Sequence, residues 1–207
     1  MNPRATDWDE YYRKSAFTAR FSRPFTIRRV LAAVQRYGRP GGVVAELGGA
    51  NSLFYQPIQE LLRPREYHVA DTNRFGLDRL RQRSPEPGLV LHCENVLGLE
   101  LPVQADLVFS IGLIEHFDPA GTREAVNAHF RLLKPGGIAI VTFPTPTWLY
   151  RVSRAVAEAA GVWAFPDERP LLTGEVVQAA EGAGELLEED LIWQIVFTQR
   201  LTVFRKR

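Results

Sequence analysis

Short apolar runs alternate with longer segments of helical spacing, and this alternation restricts the fold more than any other feature of the chain. Five apolar runs predict strands at residues 43–47, 67–70, 89–93, 106–111 and 138–143. Helical spacing predicts helices at 25–37, 52–63, 75–83 and 120–133. Strands that alternate with helices form a parallel sheet covered on both faces, and right-handed crossovers make that sheet doubly wound.

The last part of the sequence departs from this alternation. Residues 185–190 and 200–205 are strand-like with no helix between them, which predicts an antiparallel pair at the sheet edge. The segment 147–172 is too long for a plain connection and predicts a lid or an extra packing helix. The predicted fold class is α/β, a doubly wound and mostly parallel seven-stranded sheet with an antiparallel last strand and helices on both faces. We expect residues 1–207 to form a single domain.

Composition excludes several classes of protein. With 207 residues, 45% of them hydrophobic, the chain can bury the core of an ordinary single domain and is too apolar for a disordered protein. No apolar run approaches the ~18 residues of a membrane span, and the polar first ten residues are unlike a signal peptide. The single cysteine, Cys93, excludes a disulfide framework and a multi-cysteine zinc site. We therefore expect a cytoplasmic protein with no membrane partner.

The near-zero net charge conceals an uneven distribution. Residues 1–83 hold 15 Lys+Arg and 8 Asp+Glu, a balance of +7, and the remaining residues hold 10 and 16, a balance of −6. A basic half can attract an anion, a nucleic acid or a phosphorylated substrate. The alternative is that both halves interleave on one surface. In a doubly wound sheet the halves lie side by side, so the open question is whether Arg13, Arg20 or Arg23 meets a cofactor carboxylate or an anionic acceptor.

Small residues follow the first predicted strand at the edge where open α/β sheets bind ligands. The acid Glu46 leads into a turn made of Gly48, Gly49, Ala50 and Asn51. Glycine lets the backbone turn tightly and lets a ligand approach closely, and the helix that follows offers unpaired N–H groups. A generic turn between a strand and a helix is the alternative.

Polar residues also follow the second and third predicted strands. Asp71 comes about 20 residues after the glycines, where a carboxylate can accept both hydroxyls of a ribose. The alternative is a helix cap supplied by Asp71, Thr72 or Asn73. After the third strand, a side-chain acceptor can take an adenine amino group, or the residues form an ordinary polar loop: Glu94, Asn95 and Val96.

Taken together, these strand ends resemble the class I S-adenosylmethionine-dependent methyltransferases over residues 43–143. Segment 43–49 resembles the family's first motif, Asp71 its ribose acid, 106–110 its fourth strand and 133–137 the turn before its fifth strand. The resemblance implies S-adenosylmethionine as the cofactor. It further implies a binding set at four strand ends: Glu46, Gly48, Gly49, Ala50, Asn51, Asp71, Thr72, Glu94, Asn95, Val96, Ser110, Ile111 and Gly112.

The chain departs from the family's alternating glycines, because Ala50 and Ser52 stand where that motif often has glycine. A dinucleotide-dependent oxidoreductase shares the architecture and is the natural rival. It needs glycines spaced G-x-G-x-x-G to seat a pyrophosphate, and residues 48–53 do not have that spacing.

Residues 110–117 carry the strongest local cluster of candidate chemistry. His116 is a candidate general base because the unperturbed pKa of histidine lies near neutrality. Alternatively, Glu115 and His116 order the local turn. A Glu–His pair also occurs in metal-binding members of the superfamily, but the sequence has no convincing second pair, and His129 is predicted to lie on a helix well away. No metal is predicted.

The resemblance implies methyl transfer to a small-molecule acceptor, with a hydroxyl as the methylated group and in-line alignment as the main catalytic effect. Candidate acceptor-site residues are Tyr11, Tyr12, His116, Trp148, Tyr150 and Trp163. We expect the N-terminal segment 1–40 and the insertion 147–172 to close over this site. The alternatives are an RNA or protein methyltransferase and a binding module without catalysis. Nucleic acid is not the expected partner, and the oligomeric state is open.

Overall fold

The computed structural model describes residues 6–13, 19–194 and 197–207, with the backbone only at 19–23 and 194. The helices are α1 Trp8–Arg13, α2 Ala19–Tyr37, α3 Tyr55–Leu62, α4 Arg74–Arg83, α5 Pro119–Leu132, α6 Trp148–Ala159 and α7 Thr173–Ala179, with a 3-10 turn at Ile114–His116. The strands are β1 Val43–Leu47, β2 Glu66–Ala70, β3 Leu89–His92, β4 Ala105–Ile111, β5 Leu133–Pro144, β6 Gly184–Gln194 and β7 Phe197–Lys206.

All seven strands form one sheet in the order β3-β2-β1-β4-β5-β7-β6. Strands β1 to β5 pair in parallel, and β7 runs antiparallel to both of its neighbours. This confirms the predicted fold class. The order reverses between β1 and β4, where Leu47 lies beside Ser110. The carboxyl ends of these two strands therefore form the switch point at which doubly wound sheets bind ligands.

The sheet separates two apolar layers because successive side chains of a strand point to opposite faces. On β4, Val108 packs into the layer that contains α5, whereas Leu107 and Phe109 pack into the layer that contains α2 and α3. All three side chains are fully buried. A strand buried on both faces reads as a continuous apolar run, which is why β4 is easily recognised in the sequence.

Three predicted boundaries differ from the structure for local reasons. The helix predicted from residue 52 begins at Tyr55, because the Ser52 hydroxyl accepts the N–H groups of Phe54 and Tyr55 and so caps the turn before it. Strand β5 begins at Leu133, through an irregularity in which Ala105 pairs with Leu133 before regular pairing resumes. The edge pair is longer than predicted, and its pairing extends to Gln194 and Phe197.

The charge split of the sequence becomes a set of ion pairs between helix α2 and the edge of the sheet. Arg29 pairs with Asp190 at 3.2 Å, and Arg36 pairs with Glu188 at 2.7 Å. Each joins the basic part of the chain to the acidic part, so charges of the two parts interleave on one surface here. Exposed pairs of this kind contribute only about 0–1 kcal/mol each to folding.

The segment 147–172 contains α6 and a loop that returns toward the carboxyl edge of the sheet. Helix α6 begins where the Thr147 hydroxyl accepts the N–H of Tyr150. The loop is held to the 3-10 turn after β4, since Arg169 donates its N–H to the carbonyl of Glu115 at 2.9 Å. None of the described helices combines the length and the apolar character that crossing a membrane requires.

Candidate active site

The turn after β1 has little room for side chains. Gly48 has a φ of +73°, and a Cβ there would lie 2.8 Å from Cδ1 of Leu113. A Cβ on Gly49 would lie 2.5 Å from Cδ of Glu46. Both positions therefore require glycine, which supports the sequence argument for a closely packed turn.

Glu46 lies beneath this turn as a buried carboxyl, 4% exposed. The Tyr67 hydroxyl donates a hydrogen bond to its Oε2 at 2.7 Å. Burial raises the pKa of Glu46 to about 7, although hydrogen bonds from Ser52 and Tyr67 oppose the shift. The contacts place Glu46 as an internal support of the glycine turn.

Asp71 links the glycine turn to the end of β2. Its carboxylate accepts the N–H of Ala50 at 3.0 Å and the N–H of Asn73 at 2.7 Å. Burial raises the pKa of Asp71, and the backbone N–H groups limit the rise. Helix α4 is capped by Asn73, whose Oδ1 accepts the N–H of Gly76. The helix-cap alternative therefore applies to Asn73, while Asp71 faces the turn.

The end of β3 lies against Asp71. The Glu94 N–H donates to the carbonyl of Asp71 at 3.1 Å, and the side chains of Glu94 and Asn95 are exposed. The Asn95 amide oxygen accepts the N–H of Leu97, whereas Val96 is buried. Thr72 is exposed beside this loop, and its carbonyl accepts the Cys93 thiol at 3.7 Å.

Ser110, at the end of β4, uses its hydroxyl inside the protein. It is fully buried and lies 2.9 Å from Nε2 of His129. Nδ1 of His129 donates to the carbonyl of Ala125, so Nε2 accepts the Ser110 hydroxyl. Burial lowers the pKa of His129 to about 4, which keeps the ring neutral. Of the predicted β4 group, Ser110 thus has only its backbone to offer to a ligand.

His129 lies on helix α5, as predicted, and its ring packs behind the end of β4. The Ser110–His129 hydrogen bond satisfies two buried polar groups, and with the bond to Ala125 it leaves neither imidazole nitrogen of His129 available to a metal. Among the described residues, no group of three or more His, Cys, Asp or Glu side chains is arranged to hold a metal ion.

His116 is paired with a carboxylate that the sequence did not suggest. Its Nδ1 lies 3.0 Å from Oδ1 of Asp167, in the loop after α6. The Thr6 N–H donates to Oδ2 of Asp167 at 3.0 Å, and the Thr6 hydroxyl donates to Oδ1. Although burial opposes it, these hydrogen bonds and His116 lower the pKa of Asp167.

The same surroundings favour a neutral imidazole with a defined tautomer. Burial lowers the pKa of His116, and the hydrogen bond to Asp167 only partly opposes this. An ionised Asp167 accepts a proton-bearing Nδ1, which leaves the lone pair on Nε2. His116 can therefore accept a proton at Nε2.

Aromatic rings from two distant segments surround His116. Trp8 of α1 meets the imidazole edge-on at 4.9 Å between ring centres, and Phe165 of the loop after α6 does so at 5.9 Å. Tyr11 lies 5.3 Å from Phe165. Helix α1 and the loop therefore meet above the 3-10 turn, and the predicted residue Tyr11 joins this group.

The other predicted acceptor residues have different positions. The Tyr12 ring lies 5.5 Å from the ring of Tyr11 and 6.3 Å from that of Trp8, so Tyr12 packs on the outer part of the group around His116. Its carbonyl accepts the guanidinium of Arg79 at 2.9 Å. Tyr150 is buried and its hydroxyl donates to Glu168, while Trp163 meets Tyr150 edge-on at 6.4 Å. These two rings build the interior of the insertion. Trp148 is 73% exposed on α6, and its place in the acceptor site stays a prediction.

A cavity of about 660 Å³ lies between α1 and the end of β2. Its lining consists of Thr6, Asp7, Trp8, Asp9, Glu10, Arg13 and Asn73. Arg13 places its guanidinium 5.2 Å from the ring centre of Phe75. Arg20 and Arg23, the other two arginines considered in the sequence, lie where side chains are not described.

Glu115 is the remaining charged residue of the 3-10 turn. It is 2% exposed, and its Oε2 has no hydrogen-bond partner among the described residues. Burial raises the pKa of Glu115 well above its usual range, and the charges of Glu168 and Asp167 raise it further. The sequence predicts Glu115 as a turn residue and carries no signal that its Oε2 lacks a partner.

Comparison with known proteins agrees with this geometry. Residues 45–139 match a family described as a methyltransferase domain. No curated protein matches the sequence closely enough to count as a relative. The chain shares its fold with the N-methyltransferase NodS from Bradyrhizobium japonicum WM9, solved with S-adenosyl-L-homocysteine, at 16% identity and a TM-score of 0.68 over 88% of each chain.

Two further structures have the same fold. Magnesium protoporphyrin IX methyltransferase (ChlM) from Synechocystis PCC 6803, with bound SAH, is 14% identical with a TM-score of 0.77 over 97% of this chain and 94% of its own. A chain from the complex of the Haloferax volcanii Trm112 methyltransferase activator with a methyltransferase is 16% identical, with a TM-score of 0.76 over 100% and 99%. The family match over residues 45–139 and the shared seven-stranded fold make the chain similar to class I S-adenosylmethionine-dependent methyltransferases.

Proposed function

We propose that the protein transfers a methyl group from S-adenosylmethionine to a hydroxyl of a small-molecule acceptor, with His116 as the general base. The observation that carries this proposal is the His116–Asp167 pair, in which Nδ1 is engaged at 3.0 Å and Nε2 keeps its lone pair. An oxygen nucleophile needs such a base because it must lose its proton as it attacks.

The residues at the strand ends suit the cofactor. Asp71 offers a carboxylate to the ribose hydroxyls, and the exposed side chain of Glu94 stands beside it for the adenine. Gly48, whose φ is +73°, and Gly112, whose φ is +65°, bring backbone without side chains to the ends of β1 and β4, and the methionine part would lie along this backbone. Bound S-adenosylmethionine supplies an electrophilic methyl group on a sulfonium ion. In this arrangement Glu46 supports the turn from below.

Asp167 acts on the reaction through His116. Its carboxylate holds the imidazole in one orientation and keeps the proton on Nδ1, so that Nε2 takes the proton of the acceptor hydroxyl. Thr6 fixes the carboxylate with two hydrogen bonds. Alignment of the acceptor with the methyl group supplies the larger part of the rate, since positioning alone can remove about 7–11 kcal/mol of a barrier.

Helix α1 and the segment 147–172 form the cover of the site in this proposal. Thr6 binds the segment through Asp167, and Asp9 accepts the side-chain N–H of Asn73 at 2.6 Å on the cofactor side. The cover thus reaches from the end of β2 to His116. A closed cover excludes water, which strengthens the electrostatic interactions of the reacting groups.

A second candidate is a methyltransferase that acts on RNA or protein together with an activator. The fold likeness to the chain from the Trm112 complex, which extends over the whole of this chain, favours considering it. Retention on RNA at low salt that is lost steeply as salt rises would support this candidate, because phosphate contacts release counterions.

A methyl-transfer screen over sugars, phenols and carboxylates tests the proposal. We expect transfer to a hydroxyl compound, and a loss of ~10²-fold or more in kcat for His116→Ala. The control is Glu158→Gln, which removes a half-exposed carboxylate from the same insertion and should act like the wild type. Transfer by His116→Ala at the wild-type rate would exclude the base, and absence of transfer to any compound would favour the second candidate or a binding module.

A further inference from the structure

Glu115 is a buried carboxyl that the proposed reaction does not use. It is 2% exposed, and its Oε2 has no hydrogen-bond partner within the described part of the chain. Burying a carboxyl without a partner costs folding free energy, and native proteins rarely retain such a group without a function. A ligand that approaches Oε2 would supply the missing partner.

The position of Glu115 indicates which ligand this is. A Cβ built on Gly112 would lie 3.2 Å from Oε1 of Glu115, so the carboxyl packs against the glycine that ends β4. The next residue in the chain is His116. Glu115 therefore packs against the proposed cofactor-lining backbone at Gly112 and directly precedes the proposed base in the chain.

The charges around Glu115 favour a cationic ligand. Glu168 and Asp167, both from the loop after α6, act on its carboxyl and oppose its ionisation. The Asp167 carboxylate is engaged by Thr6 and His116, and Glu168 by Tyr150 and Arg154. The terminal nitrogens of the Arg169 guanidinium are engaged by Glu175 and Thr122, its buried Nε has no hydrogen-bond partner among the described residues, and its backbone N–H donates to the carbonyl of Glu115. A carboxyl grouped with two carboxylates is a favourable site for a positive charge.

We propose that Glu115 binds the sulfonium charge of S-adenosylmethionine and thereby distinguishes the cofactor from the uncharged sulfur of S-adenosylhomocysteine. This rests on the proposed function for the position of the cofactor. When the cation binds, the Glu115 carboxyl releases its proton to the solvent and its carboxylate pairs with the sulfonium. After transfer the sulfur is neutral, and Glu115 takes up a proton again.

This role separates binding from catalysis. The sulfonium charge disappears as the methyl group leaves, so a carboxylate beside it stabilises the bound cofactor more than the transition state. Glu115 therefore favours the binding of S-adenosylmethionine over that of S-adenosylhomocysteine. Its removal should raise the KM for S-adenosylmethionine while kcat stays the same or increases.

Calorimetric titration with S-adenosylmethionine and S-adenosylhomocysteine tests this inference without an acceptor. At pH 7, in two buffers of different ionisation enthalpy, the wild type should release more protons with S-adenosylmethionine than with S-adenosylhomocysteine. Glu115→Gln should abolish that difference in proton release. It should lower the affinity for S-adenosylmethionine by about tenfold and the affinity for S-adenosylhomocysteine by less than about threefold. Glu124→Gln, on the exposed side of α5, is the matched control and should bind both like the wild type.

Sinefungin, which has an amine in place of the methylsulfonium, separates charge from shape. Its affinity and its proton release should change between the wild type and each variant in the same way as those of S-adenosylmethionine. Should Glu115→Gln fail to fold, Glu115→Met replaces the carboxyl with an apolar side chain of similar length and should show the same selective loss. An equal loss for both ligands, or no loss for either, overturns the inference. A wild type that binds neither ligand overturns the proposed function itself.

Discussion

Replacement of Asp167 with asparagine tests how the carboxylate acts on His116. Asparagine has nearly the same shape and keeps an oxygen for the Thr6 N–H, which donates to Oδ2 at 3.0 Å. It cannot serve as an anionic acceptor for Nδ1 of His116, now 3.0 Å from Oδ1. The imidazole then loses the interaction that places its proton on Nδ1. We expect kcat to fall by about 10²–10⁴-fold, the range of a lost general base.

The stability and pH dependence of Asp167→Asn should change in defined directions. Asp167 has a side chain 19% exposed, and hydrogen bonds to a charged group contribute about 1.5–3 kcal/mol each, so losing the charge should lower the unfolding free energy by roughly 1–3 kcal/mol. The carboxylate also opposes the fall in the pKa of His116. Without it that pKa falls further, and the acid limb of the kcat/KM profile moves to lower pH.

The assay is methyl transfer to the acceptor found by screening, measured from acid to alkaline pH beside urea denaturation of the same protein. Thr6→Val separates the two roles of Asp167, because it removes the hydroxyl contact and retains the backbone N–H contact and the charge. It should cost much less activity than Asp167→Asn. Wild-type kcat and an unmoved acid limb in Asp167→Asn would show that Asp167 does not act through His116.

Three further changes probe the turn and its supports. Gly48→Ala places a Cβ at positive φ and 2.8 Å from Leu113, so urea denaturation should show a loss of about 1–3 kcal/mol and weaker cofactor binding. Because burial raises the pKa of Glu46 from 4.5 to about 7, the folded state holds the proton more tightly than the unfolded state. Unfolding free energy should therefore fall from about pH 4.5 to 7, and Glu46→Gln should reduce this slope, a result that denaturation at several pH values checks. Ser110→Ala leaves Nε2 of His129 without its partner, so thermal unfolding should show a loss of about 1–3 kcal/mol while the affinity for S-adenosylmethionine is unchanged.

The sequence was sufficient for the architecture because strand and helix periods are local properties. The runs that became β1, β2 and β4 are short, mostly apolar and almost wholly buried, and such runs between helices leave few topologies open. Asp71 could also be recognised as a candidate acceptor for the ribose hydroxyls, because it directly follows a strand whose end was clear. The helix cap at Asn73 was one of the options that the sequence left open.

The pairs that shape the candidate site join residues far apart in the chain. Asp167 is 51 residues from His116 and 161 residues from Thr6, and no periodic pattern connects them. The exposure of Trp148 depends on which face of α6 packs inward, which tertiary contacts decide. The Ser110–His129 bond likewise depends on how α5 docks behind β4. These contacts are tertiary, and a single sequence carries no direct record of them.

The proposed function requires that the carboxyl ends of β1, β2 and β4 bind S-adenosylmethionine. Calorimetric titration of the wild type and of Asp71→Ala with S-adenosylmethionine, S-adenosylhomocysteine and NADH tests it most directly. We expect the wild type to bind both sulfur compounds but not NADH. Asp71→Ala should lower the affinity for both sulfur compounds by a similar factor, because the ribose is common to them. Binding of NADH without S-adenosylmethionine, or unchanged affinity in Asp71→Ala, would contradict it.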